Sequence, residues 1–213
     1  MIARVLRLAA ALLILYAARL MILLSLPYTA FEKYTDFLFT KQLVYHIHHW
    51  RISFYVHVFV STIVLLTGLV QFSPYVLKKH AGLHRRSGIV YAFTVIVLSG
   101  PTGLVMGYYA NGGIYAKTSF MLLAVLWIWF TLSAVLKIKK QDWQGHAAMM
   151  MRSYALTLSA LTLRFYAYML DVLNADVHPR TAYIWLAWLS WTINLVIAEI
   201  LIRKKIFISR PTA

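Results

Sequence analysis

Six times along this chain, a run of about twenty residues passes with almost no charge, which is the length of helix needed to cross the hydrocarbon core of a bilayer. The runs lie at roughly 5–26, 51–72, 86–109, 118–137, 146–171 and 181–202. They do not alternate polar with apolar, as the strands of a membrane barrel would. A water-soluble helical domain would have to hide far too much Leu, Trp and Phe, since 62% of the residues are hydrophobic and only 13% are charged. The reading is all-α: a polytopic membrane helical bundle of about six transmembrane helices, with spans two to five as a four-helix core. Residues 1–213 form a single integral membrane domain with no linker, low-complexity segment or repeat. The first run follows a basic start, is long for a cleaved signal peptide and lacks a clear cleavage site, so it reads as a retained span.

Between the runs the connectors alternate in basicity. One side carries Arg4, Arg7, Lys78, Lys79, Arg85, Arg86, Lys137, Lys139, Lys140, Arg203, Lys204, Lys205 and Arg210. The other carries Lys33, Lys41, Arg51, Lys117 and Arg180. Positive connectors stay in the cytoplasm, so both termini are expected there, with the protein in the cell (inner) membrane. A net charge of +15 would point to nucleic acid in a soluble domain. Here its placement points instead to topology and to anionic headgroups, and nucleic acid is not among the expected partners.

The absence of cysteine excludes disulfides, thiolate-ligated haem and cysteine-held clusters within these residues. Any metal must be held by other side chains. His46, His48 and His49 in the first outer connector invite a metal reading, but on a helix they point in different directions, and interfacial hydrogen bonding is the simpler account. The Met149–Met151 run is soft packing for the same reason.

Histidines and arginines inside apolar spans are costly in a membrane, so each is a candidate for function. In span two, His57 falls on one stripe with His46, Trp50, Ser53, Ser61, Gly68 and Gln71. In span three, His84 shares a face with Gly88, Tyr91, Thr102 and Tyr109, and Gly88 leaves room for a flat ligand or a close helix. Gly100-Pro101 should kink this span midway. Span four has few polar residues and reads as a packing or lipid-facing wall. In span five, His146, Ser153, Thr157 and Arg164 fall close to one line, about 27 Å end to end. Arg152 and Arg164 both need partners there. Glu199 of span six can neutralise Arg152, whereas Arg164 must find carbonyls, water or the carboxylate of a bound ligand.

The order His57…Gly68-x-x-Gln71-Phe72, Leu83-His84-Arg85-x-x-Gly88-x-x-Tyr91, Leu126-Trp127, then His146-x-x-x-Met150-x-Arg152-Ser153-Tyr154-Ala155…Leu163-Arg164-x-Tyr166 resembles the membrane family called domain of unknown function 2306 (DUF2306), over about residues 50–170. The family's name implies no activity. Its four-helix layout is in turn similar to diheme cytochromes b and ferric reductases, which implies electron transport by haem.

A b-type haem needs histidines on facing helices at one depth. His84 and His146 begin two spans on the cytoplasmic side and meet that condition, so they are the expected haem-iron ligands. His57 has no intramembrane histidine opposite it, and His178 or the His46–His49 group would have to bend inward to complete an outer site. His57, His84, His146, Arg152 and Arg164 are therefore the expected cofactor-binding residues, with haem b as the expected cofactor and a quinone as another. Two functions of different class fit. One is a redox protein moving electrons in or across the membrane, with a partner membrane or redox protein. The other is a non-catalytic subunit or a carrier of a small ligand or lipid.

Overall fold

In a computed structural model, which describes residues 2–204, the chain is helical almost throughout and contains no strand among the described residues. The helices are α1 (Ile2–Ser25), α2 (His48–Gln71), α3 (Pro74–Lys79), α4 (Ala81–Phe93), α5 (Gly100–Tyr108), α6 (Ile114–Lys139), α7 (Trp143–Thr157), α8 (Ser159–Val172) and α9 (Pro179–Arg203). Met1, Ala213, Lys205, Arg210 and the side chains of Arg4 and Arg7 lie outside the described residues.

Five stretches are long and apolar enough to span a membrane: Leu8–Ala30, His48–Gln71, Ala81–Tyr108, Ile114–Lys139 and Pro179–Arg203. The remaining span of the sequence reading, expected as one helix over 146–171, is broken at Leu158 into α7 and α8. The break has a visible partner. Asn194 of α9 donates its side-chain amide to the Ala155 carbonyl (3.2 Å) and to Thr162 Oγ1 (3.1 Å). Thr162 in turn donates to the Ser190 carbonyl at 2.6 Å. A side chain that takes a helix carbonyl in this way interrupts the ladder.

Successive spans run antiparallel, as paired contacts show. On α6 and α7, Thr131 meets Ser153 and Trp127 meets Thr157. On α7, α8 and α9, Arg152 meets Glu199, Ala155 meets Asn194 and Thr162 meets Ser190. Small residues permit the closest approaches. A Cβ on Gly107 would sit 3.1 Å from the Met121 backbone nitrogen, so α5 lies directly on α6. A Cβ on Gly68 would fall inside the ring of Tyr154. That ring stacks on Phe72 at 5.1 Å, and its hydroxyl donates to the Leu65 carbonyl at 3.2 Å.

The third span is kinked where the sequence places Gly100-Pro101. Pro101 lacks an N–H and crowds the carbonyl four residues earlier. The turn before it, Thr94–Ser99, widens into a π-helix, with Gly100 N–H reaching back to the Val95 carbonyl. Widened turns of this kind recur at functional sites.

Span four is a packing wall on one side, while Val125, Trp129, Leu132 and Leu136 stay exposed on the other. Ala116, Ser119, Ala124, Trp127, Phe130, Thr131 and Ala134 are all buried, and α6 packs on α5, α7 and α9. Small residues at regular helical intervals along a hydrophobic helix mark a bundle-facing stripe, and this was the available signal in the sequence.

Candidate functional site

The half of the bundle nearer the strongly basic connectors, termed inner here, brings His84 and His146 to one depth. Tyr91 of α4 and Ser153 of α7 are hydrogen-bonded, hydroxyl to hydroxyl, at 2.7 Å. His84 precedes Tyr91 by seven residues, and His146 precedes Ser153 by seven. Seven residues are nearly two full turns, so each histidine lies on the face of its partner and about 10 Å nearer the inner end. The two helices thus rise in step, with Tyr91 bridging between them. His84 and His146 are close enough for the charge of one to act on the other.

The ring nitrogens are set up differently. His146 Nδ1 is 2.9 Å from the Ala134 carbonyl, which can only accept, so Nδ1 carries the proton and Nε2 keeps its lone pair. His84 Nδ1 is buried and has no hydrogen-bond partner among the described residues. Gln71 holds the backbone beneath it, donating to the His84 carbonyl at 2.7 Å and to Ser87 Oγ at 2.6 Å. The space beside Gly88 is taken by this glutamine, whose Oε1 would lie 3.0 Å from a Cβ there. Gly88 therefore serves a close helix, not a flat ligand.

Above the histidines the middle of the bundle is closed by a buried polar network. Tyr91 Oη also reaches Thr157 Oγ1 at 2.8 Å, and Trp127 Nε1 donates to the same oxygen at 3.1 Å. Thr131 Oγ1 lies 2.7 Å from Ser153 Oγ. Every member finds a partner, as buried polar groups must. Ser153 and Thr157 belong to the stripe seen in the sequence. Trp127 and Thr131 are the members that sequence reasoning missed.

Arg152 does not join this stripe. It turns to α9 and forms a two-pronged ion pair with Glu199, Nε to Oε1 at 2.5 Å and Nη2 to Oε2 at 2.9 Å.

The outer half contains His57 and Arg164. His57 Nδ1 is 3.0 Å from the Ser99 carbonyl, at the end of the π-helical turn, and 3.3 Å from Thr102 Oγ1. Its Nε2 makes no hydrogen bond among the described residues. The ring edge faces Gly103, where a Cβ would stand 3.3 Å from Cε1. Arg164 folds back one turn, donating from Nη1 to the Ala160 carbonyl at 2.9 Å. Its charge reaches both His57 and Tyr28. The Arg164 side chain is exposed.

No second histidine faces His57. His178 caps α9, its Nδ1 accepting from the Arg180 N–H at 3.3 Å. His48 Nδ1 pairs with Arg51 Nη2, and His49 Nε2 with the Tyr109 hydroxyl, both at 3.0 Å. The outer bis-histidine site entertained from sequence is therefore not formed by these residues. No group of three or more His, Cys, Asp or Glu capable of holding a metal ion occurs among the described residues.

A family model described as "Predicted membrane protein (DUF2306)" matches residues 54–202. The match covers most of the chain and extends past the 50–170 region of the motifs, into α9. The chain belongs to this family of membrane proteins. No curated protein and no solved structure matches it, so neither comparison adds support to the diheme cytochrome and ferric reductase layout.

Proposed function

We propose that this DUF2306 protein is a membrane redox carrier that holds a b-type haem in the inner half of its bundle, between His84 and His146. The observation that supports this most is the in-step placement of the two histidines on facing surfaces of α4 and α7, two turns below the Tyr91–Ser153 hydrogen bond. The donor chemistry agrees. An imidazole whose Nδ1–H is fixed on a carbonyl presents Nε2 as a ligand, which is the usual orienting device around bound metals. A buried ring nitrogen without a partner, as at His84, is what an iron would satisfy.

A haem held there would supply one-electron transfer, at a potential set by the residues that hold it and their surroundings. The residues of this chain would do the rest. Ala134 holds the His146 tautomer, and Gln71 fixes the backbone at His84. The Tyr91–Ser153–Thr131–Thr157–Trp127 network closes the bundle above the pair and excludes water from it. A quinone in the membrane and a partner redox protein are the proposed exchange partners, and the inner membrane, with the His84 end in the cytoplasm, the proposed location.

The test is an absorption spectrum of the protein purified from cells supplied with haem precursor, oxidised and then reduced with dithionite. A b-type difference spectrum is expected, lost in His84→Ala and in His146→Ala. A wild-type protein that shows no such spectrum, even after reconstitution with hemin, overturns the reading.

The alternative, a non-catalytic carrier of a small ligand or lipid, draws its support from the outer half, where Arg164 has no carboxylate partner among the described residues.

A further inference from the structure

The outer half carries two polar groups that the inner pair does not explain. They lie at the same depth. His57 faces Gly103, and a Cβ at Gly103 would stand 3.8 Å from Ala124 Cβ. On α6 and α7, Trp127 meets Thr157. Three residues further outward on each side, Ala124 comes level with Ala160. The Arg164 guanidinium folds back onto the Ala160 carbonyl, and so returns to the level of His57. Side chains on helices lean toward the N-terminus in this way.

The two groups are complementary. The Ser99 carbonyl can only accept, so His57 Nδ1 bears the proton and Nε2 offers a lone pair. Arg164 offers donors only, and its guanidinium is permanently charged. The ion pairs among the described residues are Lys137–Asp142 and Arg152–Glu199, and neither involves Arg164. A cation at this depth calls for an anion. Helix α8 packs on α9 and the end of α7 and makes no comparable contact with α2 or α5.

We propose that His57 and Arg164 form a binding site for a membrane-soluble oxygen acid: an apolar molecule whose head carries an acidic O–H. The O–H bond of the ligand breaks and its proton forms an N–H bond at His57 Nε2. The resulting oxyanion pairs with the Arg164 guanidinium, which can bind a carboxylate through two parallel N–H donors. No electron moves in this step. The apolar body lies along the exposed apolar side chains of α8, Phe165, Tyr168 and Val172. Long-chain carboxylic acids carry this head chemistry; a quinol is an acid of phenol strength and keeps its proton against an imidazole, so competition separates the two. The site does not rest on the haem reading, and the binding assay below detects no haem, so the two stand or fall separately.

The experiment is saturation binding of tritiated palmitic acid to the full-length protein in nanodiscs, with unlabelled palmitic acid, decyl-ubiquinol and 1-hexadecanol as competitors. Saturable binding displaced by the acid, but not by the quinol or the alcohol, is expected. Arg164→Met and His57→Phe should each weaken binding roughly tenfold or more, and Arg164→Lys less, with Trp129→Phe on the lipid-facing side of α6 unchanged. Should a variant fail to fold, the carboxyl carbon shift of 13C-labelled palmitate on the wild type still decides, because the bound acid must be ionised. Displacement by the quinol or the alcohol as readily as by the acid, no saturable binding, a protonated bound acid, or wild-type affinity in folded Arg164→Met and His57→Phe would each overturn the proposal.

Discussion

Lys41 shows how far a single residue can depart from its reading as one charge among others on the outer side. It is only 3% exposed. Its ammonium donates to the Tyr109 carbonyl at 2.7 Å and to Asn111 Oδ1 at 2.8 Å, tying the first outer connector to the turn between α5 and α6. Burial, and then the nearby Lys117 charge, lower its pKa to about 8. Unfolded, it would titrate near 10.4. Between these values the unfolded chain holds a proton that the folded chain has released, so stability rises with pH across that window, by on the order of 1–3 kcal/mol. Below about pH 8 both states are charged and the burial cost is constant. Thermal unfolding of wild type and Lys41→Met from pH 7.5 to about 10.5 checks this: the wild-type midpoint should gain on the variant as pH rises. A constant gap would mean that Lys41 titrates normally. Other residues were legible. Glu199, near one end of span six, is legible as a neutraliser of Arg152 or of the basic clusters, and the structure gives it to Arg152. Arg164 was marked because a cation inside a span needs explaining. Lys41 was not, because its partners are about seventy residues away and are backbone and amide oxygens that no charge pattern reveals.

At the level of elements, length and apolar periodicity placed every span, and Gly100-Pro101 placed the kink. What they could not supply was the break in span five. Ser153, Thr157, Ser159 and Thr162 can each bond back to the preceding turn, which bends helices without stopping them. The interruption at Leu158 needs Asn194 from another span, and Asn194 lies off the Trp185, Trp188, Thr192 and Glu199 face that drew attention in the sequence. The break is what lets the outer half lean on α9 while the inner half stays against α6. Hydrogen bonds between membrane helices contribute about 0.6 kcal/mol on average and up to about 1.7. Asn194→Ala should therefore lower stability by about 1 kcal/mol. Thr162→Val removes the shared partner, so the double variant should cost less than the sum of the two. Additive losses in an unfolding assay would show that the two side chains do not act together.

For the whole molecule, the decisive matter is whether α7 and α8 together cross the membrane. Five unbroken spans alone would put the two ends of the protein on opposite sides. Helix α7 has 15 residues and α8 has 14. At about 1.5 Å per residue each is about 22 Å or shorter, too short alone for a core of about 30 Å, while the two in line exceed it. They are in line. The contacts Arg152–Glu199, Ala155–Asn194 and Thr162–Ser190 follow one antiparallel register along α9 across the break. Read as one crossing, α7 and α8 predict six spans and two ends on one side of the membrane. The charge pattern says which side. The exposed Lys78, Lys79, Arg85, Arg86, Lys139, Lys140, Arg203 and Lys204 gather at one end of the bundle. The opposite end holds fewer, and Lys41 there is buried and bonded. The positive-inside rule predicts that the richer end is cytoplasmic. Alkaline phosphatase fused after Ala213 should be inactive and green fluorescent protein fused there should fluoresce, while phosphatase inserted at Asn111 or at Ala175 should be active. An external reading at Ala213 would mean that α7 and α8 turn back within the membrane. His146 and the α6–α7 connector would keep their side, but the end of α9 would not, and Glu199 could not reach Arg152 along the observed register.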